Sequence, residues 1–341
     1  MKAMILKRVW NFTENPTPLE EADIPIPTPM KGEILIKVHT CGVCHTELDE
    51  IEGRTPPPFF PMVLGHQVVG SIEVLGNGAD KYKLGTRVGI AWIYSSCGKC
   101  KFCKRGLENL CPEFKATGRD AFGGYAEYMK VPQDFAYPIP DVFSDSEAAP
   151  LLCAGAIGYR SLKLTGLKDG QSLGLTGFGA SAHIVLKLVK YQYPNSQLFV
   201  FSRSEPERQF ALELGAKWAG AIGATAPQDL DAIIDTTPAW KPDVEALRNL
   251  SPGGRLVINA IRKEAGDQDY LLKLDYPLHL WMEKEIKSVA NITRKDVEEF
   301  LEIAGKIPIK PEYQEYSLQE ANQALLELKT RKIRGAKVLK L

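Results

Sequence analysis

The stretch Ser172-Leu173-Gly174-Leu175-Thr176-Gly177-Phe178-Gly179-Ala180-Ser181-Ala182 decides the reading of this chain. A short apolar run ends in a glycine turn, and from Ala182 to Tyr191 the apolar residues recur at helical spacing. Strand, glycine turn and helix in that order fit the dinucleotide-binding fingerprint, with Ala182 in its third small position. Gly177 permits the tight turn, Gly179 lets a pyrophosphate approach the backbone, and Ala182 keeps the helix close to the strand. The helix N-terminus, opening at Ala180, supplies N–H groups and a partial positive charge to the phosphates.

Outward from this turn the texture is that of βαβ units. Gln197-Leu198-Phe199-Val200-Phe201 reads as a second strand and Pro206 to Leu214 as a second helix, ending at Gly215. Ala232-Ile233-Ile234-Asp235 and Arg255-Leu256-Val257-Ile258-Asn259 continue the series, the latter entered through the turn Ser251-Pro252-Gly253-Gly254. Asp235 reads as a loop or helix-cap residue. Residues 151–288 are therefore expected to be a doubly wound, parallel-sheet α/β domain of the Rossmann kind. Residues 1–150 are instead rich in short β-type runs punctuated by Pro and Gly, such as Glu33-Ile34-Leu35-Ile36-Lys37-Val38 and Gln67-Val68-Val69-Gly70. Residues 289–341 return to mixed helix and strand.

The end of the second strand bears on the coenzyme. An NAD site places Asp or Glu about 20 residues after the turn to bind the ribose hydroxyls. Here the strand ends Phe201-Ser202-Arg203-Ser204. No carboxylate in that run repels a 2′-phosphate, and Arg203 can pair with one. NADP(H) is the preferred coenzyme on this reading, through Ser202 and Arg203, with NAD(H) the alternative.

Composition excludes other classes of partner. The 341 residues carry 42 Lys plus Arg and 42 Asp plus Glu, so there is no general positive field to attract nucleic acid or anionic lipid. No run approaches the roughly 18 to 20 apolar residues that span a bilayer, and no signal-peptide block opens the chain. The expectation is a cytoplasmic protein with a small-molecule substrate, no nucleic acid and no membrane. Seven cysteines are too few for a disulfide scaffold and, being odd in number, cannot all pair.

Four of the seven are clustered. Cys97, Cys100, Cys103 and Cys111 form a C-x2-C-x2-C-x7-C array in the loop 97–111. Four thiolates close a tetrahedron around zinc and leave no place for substrate, so such a site is structural. An iron–sulfur cluster is the rival, although the last interval is longer than in a ferredoxin run.

Cys44 in Cys41-Gly42-Val43-Cys44-His45-Thr46-Glu47, His66 in Gly65-His66-Gln67 and Cys153 in Leu152-Cys153-Ala154 are scattered. With the four-cysteine loop and the glycine turn, in this order, they resemble the zinc-dependent medium-chain alcohol dehydrogenase family over essentially the whole chain. The resemblance implies a GroES-like catalytic domain that the nucleotide domain interrupts, so residues 289–341 should rejoin the first fold. It also implies a catalytic zinc on Cys44, His66 and Cys153 with the fourth position open, and hence two zinc ions per chain in all. Zinc would supply Lewis acidity to an alcohol or carbonyl oxygen while hydride passes between a substrate carbon and the nicotinamide.

By the same resemblance Thr46 hands the alcohol proton on, His45 and Arg334 meet the coenzyme phosphates, Glu47 orients His66, and Trp92 walls the substrate pocket. Arg54 lies near that pocket and would meet a polar or anionic substrate group. Two positions depart from the family. Its Gly-His-Glu is Gly65-His66-Gln67, which removes a carboxylate behind the metal, and its relay histidine is Asp49. Either Asp49 takes the proton or Thr46 passes it directly to water. Cys41 is left over as a small buried residue.

The function implied is oxidation of a primary alcohol or reduction of an aldehyde, with the apolar Pro56-Pro57-Pro58-Phe59-Phe60-Pro61 favouring an apolar body. A dehydrogenase of a polyol or acyl-thioester alcohol, and a catalytically silent relative that binds zinc or NADPH, are the alternatives. The family further implies a homodimer or homotetramer, with the strand Arg255 to Asn259 the candidate for pairing between sheets.

Overall fold

A computed structural model describes residues 1–307, 309–330 and 335–341. They form two units, Met1–Cys153 with Ile292–Leu341, and Ala154–Asn291. Among the described residues no helix is long and apolar enough to cross a membrane.

The first unit is built on the strand Glu33–Val43, whose residues alternate toward a buried face that includes Ile34, Ile36 and Val38. It pairs antiparallel with Val68–Leu75, Tyr128–Pro132 and Ala336–Lys340. Arg87–Ile90 and Ala136–Pro138 extend the sheet on one side and Tyr313–Ser317 on the other, seven strands in all. The C-terminal strand is thus part of the same sheet as residues 33–43.

The second unit is a six-stranded parallel sheet in the order Trp218–Gly220, Gln197–Phe201, Ser172–Thr176, Leu230–Asp235, Leu250–Ile258, Glu285–Ser288. In order of appearance this is 3-2-1-4-5-6, the dinucleotide-binding arrangement whose strand order reverses at the first strand. Ser172–Thr176 is buried along its whole length, as a strand covered on both faces must be. Phe199, Ile233 and Leu256 fill the core beside it.

Three expectations need correction here. Ser251-Pro252-Gly253-Gly254 is not a turn before a strand: it is an irregularity inside Leu250–Ile258, since Leu250 pairs with Leu230 and Arg255 with Ala232. The strand containing Arg255 cannot pair with another subunit, because both its edges are taken, by Leu230–Asp235 and by Glu285–Ser288. On this side the sheet ends at Glu285–Ser288, exposed at every residue, and on the other at Trp218–Gly220. Asp235 is neither loop nor cap. It ends its strand fully buried, 2.6 Å from Lys263 Nζ, which also lies 2.7 Å from Asp243. Burial and the neighbouring Asp235 push Asp243 up to about 8.

Candidate active site

Cys44 caps the short helix His45–Ile51, whose residues Leu48 to Ile51 point into the first unit. His66 sits in the loop before Val68–Leu75, and Cys153 follows the buried turn Ala149–Leu152. The fold brings these three distant residues together: one donor atom from each lies within 4.8 Å of the others, and the two sulfurs are 3.9 Å apart. A tetrahedron with bonds of about 2.3 Å has edges of about 3.8 Å, so the spacing suits zinc held by thiolates.

Glu47 ties two of the three donors in place. Its Oε2 accepts the Cys44 N–H at 2.7 Å, and its Oε1 lies 2.6 Å from His66 Nδ1. With Nδ1 turned to the carboxylate, His66 Nε2 remains fully buried without a hydrogen-bond partner. A buried imidazole nitrogen beside two thiols, with no oxygen or nitrogen partner, is a position that a cation satisfies. The thiols say the same. A hydrogen bond from Cys153, together with His66, draws Cys44 well below the usual thiol range, while Cys44 and burial push Cys153 up, so one of the two thiols ionises readily and the second needs a cation to do so.

Around this group, Thr46 Oγ1 stands 3.7 Å from Cys44 Sγ, half-buried, and His45 is exposed. Gln67 is buried with Oε1 packed on Gly42, where an added Cβ would approach it to 2.5 Å. Cys41 is wholly buried, and burial pushes its thiol up. Trp92 stacks on Phe114 with centroids 5.1 Å apart, under the Arg119 guanidinium, and its Nε1 is buried without an acceptor among the described residues. Arg54 is not a free anion receptor. Its Nε donates to Asp49 at 2.5 Å and its Nη1 to Glu52, so its charge is matched from within the chain. Asp49 is correspondingly committed to an ion pair.

The four-cysteine loop closes on itself. Cys103 Sγ lies 3.9 Å from Cys97 Sγ and 3.6 Å from Cys100 Sγ, and Cys111 belongs to the same group. Backbone N–H groups point at the sulfurs, from Cys97 and Glu113 to Cys111 and from Cys100 to Cys97. The N–H of Cys103 is the main cause that holds Cys100 down to about 7. Such amide donors stabilise thiolate ligands.

In the second unit Gly177 has φ +77°, and a Cβ there would lie 2.9 Å from Thr236 Oγ1 and Thr237 Cγ2, so the turn is restricted to glycine. Gly179 caps the helix Ala180–Gln192, and a Cβ added to it meets nothing within 4 Å. The space over that helix start is open, as a pyrophosphate cradle requires. Ala182 is fully buried against the sheet. Ser202 is buried and Arg203 exposed at the end of Gln197–Phe201. The expectation that no carboxylate stands there is corrected: Glu207, two residues into the helix that begins at Glu205, accepts a hydrogen bond from Ser202 Oγ. A linear reading of the strand end misses it, because the helix turns it back. Arg334 lies outside the described residues.

The chain is similar to known proteins over its whole length. Residues 30–141 match the model of the alcohol dehydrogenase GroES-like domain. The chain is 42% identical to the "Probable alcohol dehydrogenase AdhA" of Mycobacterium tuberculosis, over 94% of this chain and 92% of that protein. It is 33% identical to an alcohol dehydrogenase of Geobacillus stearothermophilus, over 95% and 96% of the two chains. Among solved structures, a cinnamyl alcohol dehydrogenase of Sorghum bicolor superposes with a TM-score of 0.85 at 27% identity, covering 99% of this chain and 97% of that one. Full-length similarity, a GroES-like domain and a parallel six-stranded sheet converge on one assignment: the chain belongs to the zinc-type medium-chain alcohol dehydrogenase family.

Proposed function

We propose that this alcohol dehydrogenase interconverts primary alcohols and aldehydes, with a catalytic zinc held by Cys44, His66 and Cys153 and a structural zinc held by Cys97, Cys100, Cys103 and Cys111. The observation that carries the reading is His66 Nε2, buried and unpartnered beside two thiols while Glu47 holds Nδ1. When bound, zinc supplies Lewis acidity to the substrate oxygen. Cys44 and Cys153 balance the ion's charge, Glu47 fixes the His66 tautomer, and Thr46 accepts the proton released by the alcohol. The test is hydride transfer by the zinc-loaded enzyme, read as nicotinamide absorbance with a panel of alcohols and aldehydes. Turnover is the expected result, and zinc-replete protein that turns over no member of the panel contradicts it.

Because Asp49 is held by Arg54, Thr46 passes its proton to water directly. Asp49→Asn is then expected to leave the pH dependence of kcat/KM in place. A displaced limb of that profile would put Asp49 in the relay.

Two groups compete over the coenzyme. Arg203 favours NADP(H), and the Glu207 carboxylate opposes a 2′-phosphate and suits ribose hydroxyls. The exposed guanidinium keeps NADP(H) the preferred coenzyme, and Glu207 limits that preference. Arg203→Ala should lower kcat/KM for NADPH by about tenfold, an effect of about 1.4 kcal/mol, with little change for NADH. Glu207→Gln should move the ratio the other way. Steady-state kinetics with both coenzymes checks both.

The reading includes a homodimer or homotetramer formed through the exposed edge Glu285–Ser288, which Trp281 and Met282 flank with exposed apolar surface. It includes a cytoplasmic setting, where free thiols serve as ligands.

A further inference from the structure

In the first unit, apart from every residue assigned above, three side chains have the connectivity of nucleophile, base and orienting acid. His39 is the extra residue at a register shift between Val38 and Thr40, where Glu33–Val43 pairs with Val68–Leu75. Such bulges re-aim a side chain and recur beside active sites. The His39 ring bridges two partners: Nε2 lies 3.1 Å from Ser71 Oγ, and Nδ1 lies 2.9 Å from Asp145 Oδ2. Asp145 opens the short helix Asp145–Ala148, with Arg87 Nε 3.4 Å from its second oxygen. The His39 hydrogen bond, helped by Arg87, holds the Asp145 carboxyl below the usual range, which keeps it ionised at neutral pH.

The trio is reachable. Ser71 is half-buried and stands directly opposite Lys37, so their side chains share a face of the sheet. Lys37, His39 and Asp145 line a half-open cleft of about 560 Å³, together with Tyr128, Ser146 and Tyr313, and Ser71, outside that lining, adjoins it through Lys37 and His39. The His39 and Asp145 side chains are 34% and 28% exposed, enough for a ligand to reach them. Arg87 lies opposite Ser71 on its other neighbour strand. Lys37 puts positive charge beside the hydroxyl, where an oxyanion would develop, while the Arg87 guanidinium is taken up by Asp145 and by the carbonyls of Pro140 and Phe143.

We propose that Ser71, His39 and Asp145 form a second, hydrolytic site that cleaves small carboxylic esters entering this cleft. Ser71 Oγ bonds to the ester carbonyl carbon as His39 Nε2 takes its proton. The carbon–oxygen bond to the alcohol then breaks, and the alcohol leaves with that proton. Water gives a proton to His39 and displaces the Ser71 oxygen from the acyl carbon, releasing the carboxylic acid as Ser71 recovers its proton. Ester and water become acid and alcohol, with nothing oxidised or reduced. Asp145 keeps Nδ1 protonated and Nε2 turned to Ser71.

The test treats intact, zinc-loaded enzyme with p-nitrophenyl acetate and, separately, with a fluorophosphonate probe whose attachment is located by peptide mass spectrometry. The probe should attach to Ser71. Ser71→Ala should abolish that labelling and lower ester hydrolysis by about a hundredfold, and His39→Gln and Asp145→Asn should slow labelling comparably. Alcohol oxidation should stay within about twofold of the parent in all three variants, since none touches the dehydrogenase site; this separates a lost hydrolase from a misfolded chain. Absence of labelling at Ser71, labelling that persists at full rate without His39, or hydrolysis that survives Ser71→Ala overturns the proposal.

Discussion

Cys153→Ala should leave a folded protein with about a thousandth of the parent kcat/KM or less. The argument is one of charge. Zinc Lewis acidity is worth several kcal/mol in the transition state, and each 1.4 kcal/mol or so is about a factor of ten. Cys153 is one of only two thiols in its group, with Cys44 Sγ 3.9 Å away and His66 the third donor, so its loss leaves two ligands and one anion for a divalent ion. The metal should leave with the sulfur. Elemental analysis of the variant should find about one zinc fewer per chain than the parent, while the four-cysteine loop keeps its own. Full zinc content in an inactive variant would point to a role for Cys153 other than ligation. Glu47→Gln, which keeps the size of the side chain but weakens its hold on His66 Nδ1, should cost less, about 10- to 100-fold.

Cys103→Ser should act on stability instead. Cys103 Sγ touches the sulfurs of both Cys97 and Cys100, so it stands at the centre of the loop's donor set. The segment around it consists of tight turns, the three-residue helices Cys103–Arg105 and Glu108–Leu110, with few buried side chains of its own. Such a loop has little apolar burial to offset its ordering entropy, so the metal bonds hold it. Losing a few kcal/mol at about 2–4 °C per kcal/mol lowers the thermal midpoint by roughly 10 °C. Activity measured well below the transition should fall far less than in Cys153→Ala. Scanning calorimetry together with initial rates at low temperature checks both parts, and an unchanged midpoint would show that the loop needs no metal.

What the sequence made legible was local. The glycine turn between an apolar run and a helical pattern identified the nucleotide fold, because Gly177 and Gly179 are needed within a few residues of each other and of the strand they end. The cysteine array was equally plain, since Cys97 to Cys111 lie in one loop. Cys44, His66 and Cys153 could not be joined by spacing, because the elements carrying them are distant in the chain; only the family resemblance suggested that they belong together.

Other features depended on the folded geometry. Glu207 stands at the coenzyme end of a strand because a helix turns it back onto Ser202. Lys263, in the segment that follows the neighbouring strand Leu250–Ile258, meets Asp235 only in the folded sheet, which is why the sequence alone reads that Asp as a cap residue. Glu285-Ile286-Lys287-Ser288, short and half charged, carries almost no strand signal, so the last strand of this sheet is not visible in the sequence. The same charged residues are what an edge strand uses to stay soluble. Nothing in the pattern of Glu33–Val43 announces the bulge that turns His39 toward Ser71 and Asp145.

Metal analysis of the active enzyme tests the central claim most directly. Purified without added metal, colourless and active in alcohol oxidation, the protein should contain about two zinc ions per chain, and a chelator that removes one of them should stop turnover before it lowers the melting temperature. Active protein that carries no zinc, or a coloured protein whose four-cysteine loop holds iron and sulfide, would contradict the account.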